Sequence, residues 1–513
     1  MSFVQNLVGF VKKSALSKIG RSDTLNMYVE KKDQSEHGFS VVLKPMPGYK
    51  KVCDIPGEPR GTFRCSRSFD GRPAVYGVWG DKLYLVVKND DDGKFSPVEI
   101  GIVGGYGKVS FCETNGYGNT HPRLVLCDGM NVYSVPTDEK PSVQQNKFDS
   151  LQLPYKYPNS TTQRIKPSWV ASLYNYIIVG DEGTDIFYRS YQFPFEVGDE
   201  DIFEVKSTGG VGNYTMSEWQ PDNTIAGCAN GSRLFTLGEK SFQVFTYQNS
   251  VENPFASPDT ASISIGIKSK GSLAQYGGSI MWIGGADMGN GSVYMMGADA
   301  NPVRISTDEI EELISGYDFD NVESFVMKVG NHPMYVINFK TDEQTFAYDL
   351  REEGWVRLSS RTVKGNEGSY RYKYPVYNVD GKLWLQADDG IVETTSETWF
   401  EHDGTPILRK RVGGVVSSDH KPFKVTKIQL LTNNGDYPLV KGRPAKITLS
   451  YSLNGTTFHD VTTRSLGCVG QYDYDTVFRN LGKAKHFILE VGTSENIPFA
   501  LYGMDLSAIK TSD

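Results

Sequence analysis

Three short segments of the 513-residue chain resemble loops that serve in binding or catalysis. In NDDDGKFSPVE, aligning Gly93 with the invariant glycine of an EF-hand loop places Asp90, Asp92 and Glu99 at the third, fifth and twelfth positions. Lys88 then stands at the first position, where a carboxylate is required, and the flanking residues are strand-like. An exposed hairpin turn is therefore the preferred interpretation of this segment.

The other two segments fail their motif tests. GIVGGYGKVS resembles a phosphate-binding loop, but Ile102 stands where that motif needs glycine and Val109 where it needs serine or threonine. SLNGTTF, residues 452–458, resembles the aspartate-box turn of sialidase-type propellers, with Asn454 in place of aspartate and one residue too few. An Asn-Gly hairpin turn is the simpler interpretation.

Catalytic and metal-binding patterns are also missing from the sequence. The seven histidines have no metal-ligand spacing, and no nucleophile-elbow serine occurs. Acidic pairs such as Glu352–Glu353 lie in turn-like sequence. We therefore expect no enzyme activity, no catalytic residue, no cofactor and no metal site. Carboxylates that are distant in sequence could still meet in the channel of a propeller.

The composition indicates many strands and turns in a protein of modest charge. Gly supplies 53 of 513 residues, above the usual share of about 7%, and Tyr (29) and Phe (26) are plentiful. A net charge of −8 argues against a basic nucleic-acid-binding surface as the main function, although a duplex can pass an acidic wall without sticking to it. Six scattered cysteines predict reduced thiols and folding in a cytoplasm. No secretory signal and no membrane-length apolar run is found, which predicts a soluble protein.

A sequence pattern that is loosely repeated seven times, called a phrase below, predicts the elements that would position these residues. Most of its seven occurrences begin with a turn-forming pair, and all continue as a short apolar strand with an aromatic residue near the centre. The central aromatics are Tyr84, Tyr133, Tyr176, Phe235, Trp282, Tyr335 and Trp384. The first and last are 300 residues apart, a mean spacing of about 50 residues, which is typical of propeller blades with four antiparallel strands each.

The repeat predicts an all-β fold in which residues 61–402 form a β-propeller. Seven phrases predict seven blades, or six if one phrase belongs to a connector, with the aromatics packed between blades. An open solenoid or a pair of sandwiches is the alternative. One helix is expected over residues 306–317, with Ser306 as its cap and Ile310, Leu313 and Ile314 on one face, between two blades.

The two ends of the chain differ from its middle. Residues 1–60 are expected to form an N-terminal arm and part of a platform. Residues 403–513 alternate apolar and polar positions between Gly and Asn turns, which predicts a β-sandwich that completes the platform, with residues 403–422 as the linker.

Local stretches in a fixed order resemble a known family along nearly the whole chain. They are LNMYVE (25–30), PGYKK (47–51), EPRGTF (58–63), GKVSF (107–111), GSRLFTLGEKSFQVF (231–245), IGIKSKGSLAQYGGSIMWIG (265–284), NPVRISTDEIEELISGY (301–317), VTKIQL and KITLSYSLNGTTF. The chain resembles the tail hub or nozzle proteins of short-tailed phages (podoviruses), also called packaged-DNA stabilisation proteins. Loop lengths differ, and residues 140–165 have no identified counterpart.

The resemblance implies a structural role in the virion tail. In that family a ring of six copies lies beneath the portal and its adaptor, extends the DNA channel and helps to retain the packaged genome until ejection. The expected partners are therefore other copies of the chain, the portal and adaptor proteins, tail spikes, fibres or a needle, and DNA that passes without sequence recognition. The protein would be made in the bacterial host cytoplasm, and no catalytic residues accompany the resemblance.

Two other classes of propeller remain alternatives. A glycan-binding or glycan-cleaving propeller would explain exposed aromatics and the turn at 452–458, but it should show repeated aspartate boxes and clustered Arg and acid residues. A eukaryotic interaction propeller should repeat Trp-Asp or Gly-Gly signatures, which this chain lacks.

The first 20 residues are predicted to act in assembly. They combine an apolar stripe with a basic cluster in an otherwise acidic chain, and none of them belongs to a blade phrase. The candidate interface residues are Phe3, Leu7, Val8, Lys12, Lys13, Lys18 and Arg21. The alternative is that this segment folds back onto the C-terminal sandwich of its own chain.

Overall fold

The structure is a computed structural model. It describes residues 2–5, 7–11, 22–36, 39–68, 71–114, 122–145, 165–190, 214–217, 222–250, 253–258, 262–285, 291–297, 301–362, 365–418 and 421–510. The first five strands are β1 (Ser2–Gln5), β2 (Asp23–Leu25), β3 (Met27–Glu36), β4 (Phe39–Pro45) and β5 (Gly48–Asp54).

Three antiparallel sheets of four strands follow. Sheet 1 contains β6 (Pro59–Cys65), β7 (Ala74–Trp79), β8 (Lys82–Lys88) and β9 (Phe95–Ile102). Sheet 2 contains β10 (Ser110–Thr114), β11 (Arg123–Cys127), β12 (Val132–Pro136) and β13 (Gln144–Gln145). Sheet 3 contains β14 (Pro167–Leu173), β15 (Tyr176–Asp181), β16 (Ile186–Arg189) and β17 (Tyr214–Met216).

In each of the next two sheets, two short strands pair with the same neighbouring strand, at the outer edge in sheet 4 and at the inner edge in sheet 5. Sheet 4 contains β18 (Thr224–Asn230), β19 (Arg233–Gly238) and β20 (Phe242–Tyr247), with β21 (Phe255–Ala256) and β22 (Ser262–Ile263) both paired to β20. In sheet 5, β23 (Gly266–Ile267) and β24 (Ala274–Tyr276) both pair with β25 (Ser279–Gly285), and β26 (Val293–Met296) and β27 (Pro302–Arg304) follow. A 3₁₀ turn, Lys270–Ser272, separates β23 from β24.

Sheets 6 and 7 complete the series. After helix α1 (Asp308–Ile314), sheet 6 contains β28 (Val322–Val329), β29 (His332–Phe339), β30 (Gln344–Asp349) and β31 (Gly354–Leu358). A hairpin of β32 (Ser360–Arg361) and β33 (Glu367–Gly368) leads to sheet 7, with β34 (Lys373–Tyr377), β35 (Leu383–Ala387) and β36 (Gly390–Thr395). The N-terminal β5 pairs antiparallel with β36 as the fourth strand of sheet 7.

Each of these seven sheets shares a buried core with the next, and sheet 7 packs on sheet 1. At this junction Trp384 and Ile391 of sheet 7 lie in one core with Val75 and Trp79 of sheet 1. The other six junctions have equivalent cores. Because the array closes on itself, both faces of every sheet are covered, as a propeller requires.

The seven repeated phrases do not occupy equivalent positions in their sheets. Five of the central aromatics lie on the second strand, but Tyr84 lies on β8 and Tyr133 on β12, the third strands of sheets 1 and 2. The second and third strands of a blade can both follow a tight turn, so the same pattern of turn and apolar strand fits either one. The prediction that the aromatics pack in the cores between sheets agrees with the structure, and only Tyr84 is half-buried.

The chain ends form a β-sandwich beside the propeller. Its C-terminal strands are β37 (Arg409–Val412), β38 (Phe423–Thr432), β39 (Lys446–Ser452), β40 (Thr462–Ser465), β41 (Thr476–Ala484), β42 (Ile488–Thr493) and β43 (Leu501–Lys510). One layer has the order β3-β4-β43-β38-β41, with β1 also beside β43. The other layer continues from β31 of sheet 6 through β2, β37, β42 and β39 to β40, so a continuous sheet joins propeller and sandwich.

Two predicted boundaries need correction. The propeller was expected to begin at residue 61, but β5 belongs to it, because this strand supplies the outer edge of sheet 7. The helix between sheets 5 and 6 was expected to be capped by Ser306. Its cap is Thr307, whose side chain accepts the Ile310 N–H, while the Ser306 hydroxyl bonds to Glu311 instead.

Candidate functional site: the channel of the propeller

The inner strands of the seven sheets surround a cavity of about 890 Å³ at the centre of the ring. Its wall is built from β6, β10, β14, β18, β24, β28 and β34, together with the loops that lead into several of them. Since each sheet contributes its first strand, side chains that are hundreds of residues apart in sequence face the same space.

Lys108 fixes one side of this cavity to the other. It lies in the loop between sheets 1 and 2, yet its Nζ donates to the carbonyl oxygens of Leu273 and Ser324, both at 3.0 Å, at sheets 5 and 6. Burial lowers the pKa of Lys108 to about 8, against the opposing effect of the Glu323 carboxylate. A cavity of this volume, crossed by a lysine side chain, has no room for a nucleic-acid duplex.

A network of ion pairs lies beside Lys108, where sheets 6, 7 and 1 meet. Glu323, which is 5% exposed, binds the Nζ of Lys340 at 3.2 Å and the Nζ of Lys373 at 2.6 Å. Lys340 also binds Glu58 at 2.5 Å, and this contact lowers the pKa of the Glu58 carboxyl. Burial opposes the charge on Lys340, but its two carboxylate partners raise its pKa.

Arg60 holds the adjoining loops together. It is 4% exposed, and it donates from Nε to the Gly107 carbonyl at 2.9 Å and from Nη1 to the carbonyls of Gly80 and Val103 at 2.8 and 3.2 Å. All three acceptors are neutral. Burial lowers the pKa of Arg60, and the nearby Asp128 carboxylate opposes this effect.

Sequence reasoning did not identify these channel residues. Lys108 was noticed only as part of a segment that fails the phosphate-loop test, and Glu323 and Lys340 belong to no motif. A cation or carboxylate at the start or end of an otherwise apolar strand is a signal that could have indicated these channel residues. Their partners could not be assigned from the sequence, because the contacts join different sheets.

The apolar part of the predicted assembly segment is buried in the chain's own core. Leu7 (2% exposed) and Val8 (8%) pack in the core of the sandwich, and Val11 (4%) packs with Trp355 and α1. In this chain Leu7 and Val8 pack against apolar side chains of the sandwich, such as Phe423 and Leu506, as the alternative expects. Their role in assembly stays a prediction.

Of the other predicted interface residues, one lies in a described strand and four lie outside the described residues. Phe3 lies in β1, paired with Leu506 of β43. Lys12, Lys13, Lys18 and Arg21 lie outside the described residues. An assembly role for this basic cluster therefore stays a prediction.

The three motif-like segments are turns and loops. The segment after Asn89 is the hairpin turn between β8 and β9. Residues 103–109 connect sheets 1 and 2, with Gly105 and Gly107 at positive φ, and do not lead into a helix. Asn454 accepts the N–H groups of Thr456 and Thr457 in a tight turn.

The described part of the chain contains free thiols and no clustered metal-ligand side chains. No group of three or more His, Cys, Asp or Glu side chains there is arranged to hold a metal ion. All six cysteines are free thiols, buried except for the half-buried Cys468. Among the described helices, none has the length and apolar character needed to cross a membrane.

The closed ring of four-stranded sheets defines a protein of the β-propeller class. Residues 22–391, well over half of the chain, match the model of the family described as Bacteriophage P22 Gp10, beta-propeller. The chain belongs to this packaged-DNA stabilisation family. It is therefore a phage structural protein with its place in the virion, in a family whose role suggests no enzymatic activity.

Three solved structures illustrate a distant likeness. The crystal structure of BBS1N in complex with ARL6DN, soaked with mercury, has 10% identity and a TM-score of 0.36, with 69% of this chain and 96% of that chain covered. The WD40 beta propeller domain of Doa1 has 10% identity and a TM-score of 0.35, with coverages of 67% and 96%. The extracellular domain of the putative hybrid two component system BT4673 from B. thetaiotaomicron has 9% identity and a TM-score of 0.37, with coverages of 68% and 39%. These values are too low to carry an argument, and the search of curated proteins found no match.

Proposed function

We propose that the chain is a tail hub or nozzle subunit that forms a ring of six copies beneath the portal and adaptor. The observation that carries this proposal is the family match over residues 22–391, which spans the propeller sheets. The ring extends the DNA channel, helps to retain the packaged genome and gives spikes, fibres or a tail needle a place to dock. The subunit is made in the bacterial host cytoplasm, where its thiols stay reduced, and it has no enzymatic role.

The surface of the chain supports assembly into a ring. A cyclic ring needs two different contact surfaces on each copy. Exposed apolar side chains occur on several sheets and on the sandwich, and two groups of them lie on separate parts of the chain, one on sheets 1 and 2 and the other on the sandwich. The first group is Val98, Ile102, Tyr106 and Met130, and the second is Leu439, Val461, Val469 and Tyr472. Tyr106, which is 93% exposed, also borders the cavity of the propeller.

The electrostatics support a passive DNA path. Affinity for DNA comes largely from cations that neutralise phosphates. In this chain acidic side chains outnumber basic ones, which gives a net charge of −8. The cavity inside each propeller is also too small for a duplex. In the proposed ring, DNA therefore passes through the space between the copies and is not recognised by sequence.

Depletion and add-back test this function. Particles should be assembled in a host that lacks this chain, and their DNA content and infectivity measured before and after addition of the purified protein. We expect heads that package DNA but lose it, and recovery of both properties on add-back. The same protein, heat-denatured before addition, is the control. Depleted particles that keep their genome and infect normally would rule the proposal out.

A further inference from the structure

Lys108 and Lys270 line the cavity, and Arg60 lies in the loops beside it. None of these three cations has a carboxylate within ion-pair distance in the described part of the chain. Arg60 and Lys108 donate to backbone carbonyls, and Lys270 lies in the 3₁₀ turn just before Leu273, one of the two residues that accept from Lys108. A buried cation with only neutral partners is costly, because it has lost hydration without gaining a counter-charge.

Arg60 and Lys108 belong to the same hydrogen-bonded group of loops. Arg60 Nε donates to the carbonyl of Gly107, the residue before Lys108, and the Val109 N–H donates back to the Arg60 carbonyl at 2.7 Å. Nη2 of Arg60 is buried and has no hydrogen-bond partner among the described residues. The guanidinium therefore adds positive charge directly behind the wall from which Lys108 projects.

The carboxylates of the same cavity act on these cations only from beyond ion-pair distance, because each is bonded elsewhere or exposed to solvent. Glu323 is already shared by Lys340 and Lys373. Asp128 accepts the N–H groups of Met130 and Asn131 and the hydroxyl of Tyr133. Glu113 is bound to the N–H and hydroxyl of Ser66, and Asp320 is exposed to solvent.

We propose that the propeller cavity binds a small oxyanion, a phosphate or a carboxylate, through the Lys108 ammonium and with Lys270 beside it. An ammonium has three donors, and Lys108 has two acceptors among the described residues, so one N–H remains for the ligand. The site is independent of the tail role proposed above. It would join sheets 1 and 2 to sheets 5 and 6 through a ligand as well as through the lysine itself.

Calorimetric titration of the full chain with inorganic phosphate, and separately with acetate, tests this site at constant ionic strength set with chloride. We expect saturable binding by the wild type, and loss of at least about 10-fold in affinity in Lys108→Met, since one charge-assisted hydrogen bond is removed. Lys108→Arg should retain binding. The matched control is Lys82→Met, because Lys82 is on the outside of sheet 1 and pairs with Glu99.

The two titrations distinguish the source of the oxyanion. Binding of phosphate alone identifies a free phosphate site, and binding of acetate alone identifies a carboxylate site that a side chain of another protein could fill. Absence of saturable binding in both titrations would overturn the proposal. Equal affinities of the wild type and Lys108→Met would overturn it as well. If Lys108→Met does not fold, Lys108→Arg and Lys270→Met are compared with the wild type instead. The proposed geometry is contradicted if Lys270→Met keeps its affinity while Lys108→Arg loses it.

Discussion

Lys108 is charged in the unfolded chain up to its ordinary pKa of about 10.4, but in the fold its pKa is about 8. Between these two values the unfolded state binds more protons, so this group makes the fold more stable as the pH rises. Below pH 8 the lysine is charged in both states and its full cost is present. Glu323 is the carboxylate that faces it and limits this cost.

Lys108→Met should therefore change stability in a pH-dependent way. The melting temperature of the variant relative to the wild type should be highest below pH 8 and should fall as the pH rises from 8 to 10. Thermal melting of both proteins across this range is the measurement, with Lys82→Met as the exposed control. A difference that does not vary with pH would show that Lys108 is not a destabilised cation.

At the scale of residues, a sequence can be tested against known motifs, but contacts between distant sheets cannot be predicted from it. Each motif-like segment could be rejected from one or two residues, such as Ile102 and Val109, because a motif demands specific side chains at fixed spacing. The channel residues could not be found in this way. Lys108 and its acceptor Ser324 are separated by 216 residues, and only the closure of the ring brings them together.

Gln386 is one of the residues that join the last sheet to the first by hydrogen bonds. Its side chain accepts the Gly61 N–H at 3.0 Å and donates to the carbonyls of Gly61 and Val78, both at 3.1 Å. Gln386→Leu should destabilise the protein by about 2–4 kcal/mol, because it leaves buried backbone groups without partners. Chemical denaturation measures this change. Gln145→Leu, which removes an exposed bond to Asn131, should have almost no effect, and equal effects of the two substitutions would contradict this account of the seam.

The N-terminal segment belongs to the stability of the single chain. Deletion of residues 2–11 removes β1 and the buried Leu7, Val8 and Val11. It also takes the carbonyls of Leu7 and Phe10 away from Arg411, a guanidinium that is 4% exposed. Since burial of one such aliphatic side chain contributes about 1.5–3 kcal/mol, the melting temperature should fall by roughly 5 °C or more.

Differential scanning calorimetry of the deletion variant tests this expectation. Ile509→Ala, which truncates an exposed side chain of β43 in the same sandwich, is the control and should melt close to the wild type. A deletion variant that melts with the wild type would show that the segment contributes to assembly and not to its own core.

At the scale of elements, the sequence predicted the kind of element well and its exact place less well. The phrases marked strands correctly, but a turn followed by an apolar strand fits both the second and the third strand of a blade, as Tyr84 and Tyr133 show. The strand β5 could not be assigned from sequence, because its partner β36 lies more than 300 residues away. Thr307 and Ser306 are both good caps, and only the backbone geometry distinguishes them.

At the scale of the whole molecule, the all-β propeller with a sandwich built from the chain ends was predictable. The repeat of about 50 residues limits the fold to a few architectures, and a closed ring is the one that leaves no exposed edge between repeats. The path that joins the two parts was not predictable, since the continuous sheet from β31 through β2 to β37 combines three distant segments. The proposed ring of several copies depends on surface side chains, and these have no fixed pattern in the sequence.

Electron cryo-microscopy of intact virions that contain this chain tests the central claim most directly. The account predicts density beneath the portal and adaptor that is fitted by six copies, each with a propeller of four-stranded sheets and a sandwich that includes both chain ends, around an open DNA path. Density for the chain away from the tail axis, or a tail axis whose density this fold does not fit, would contradict it.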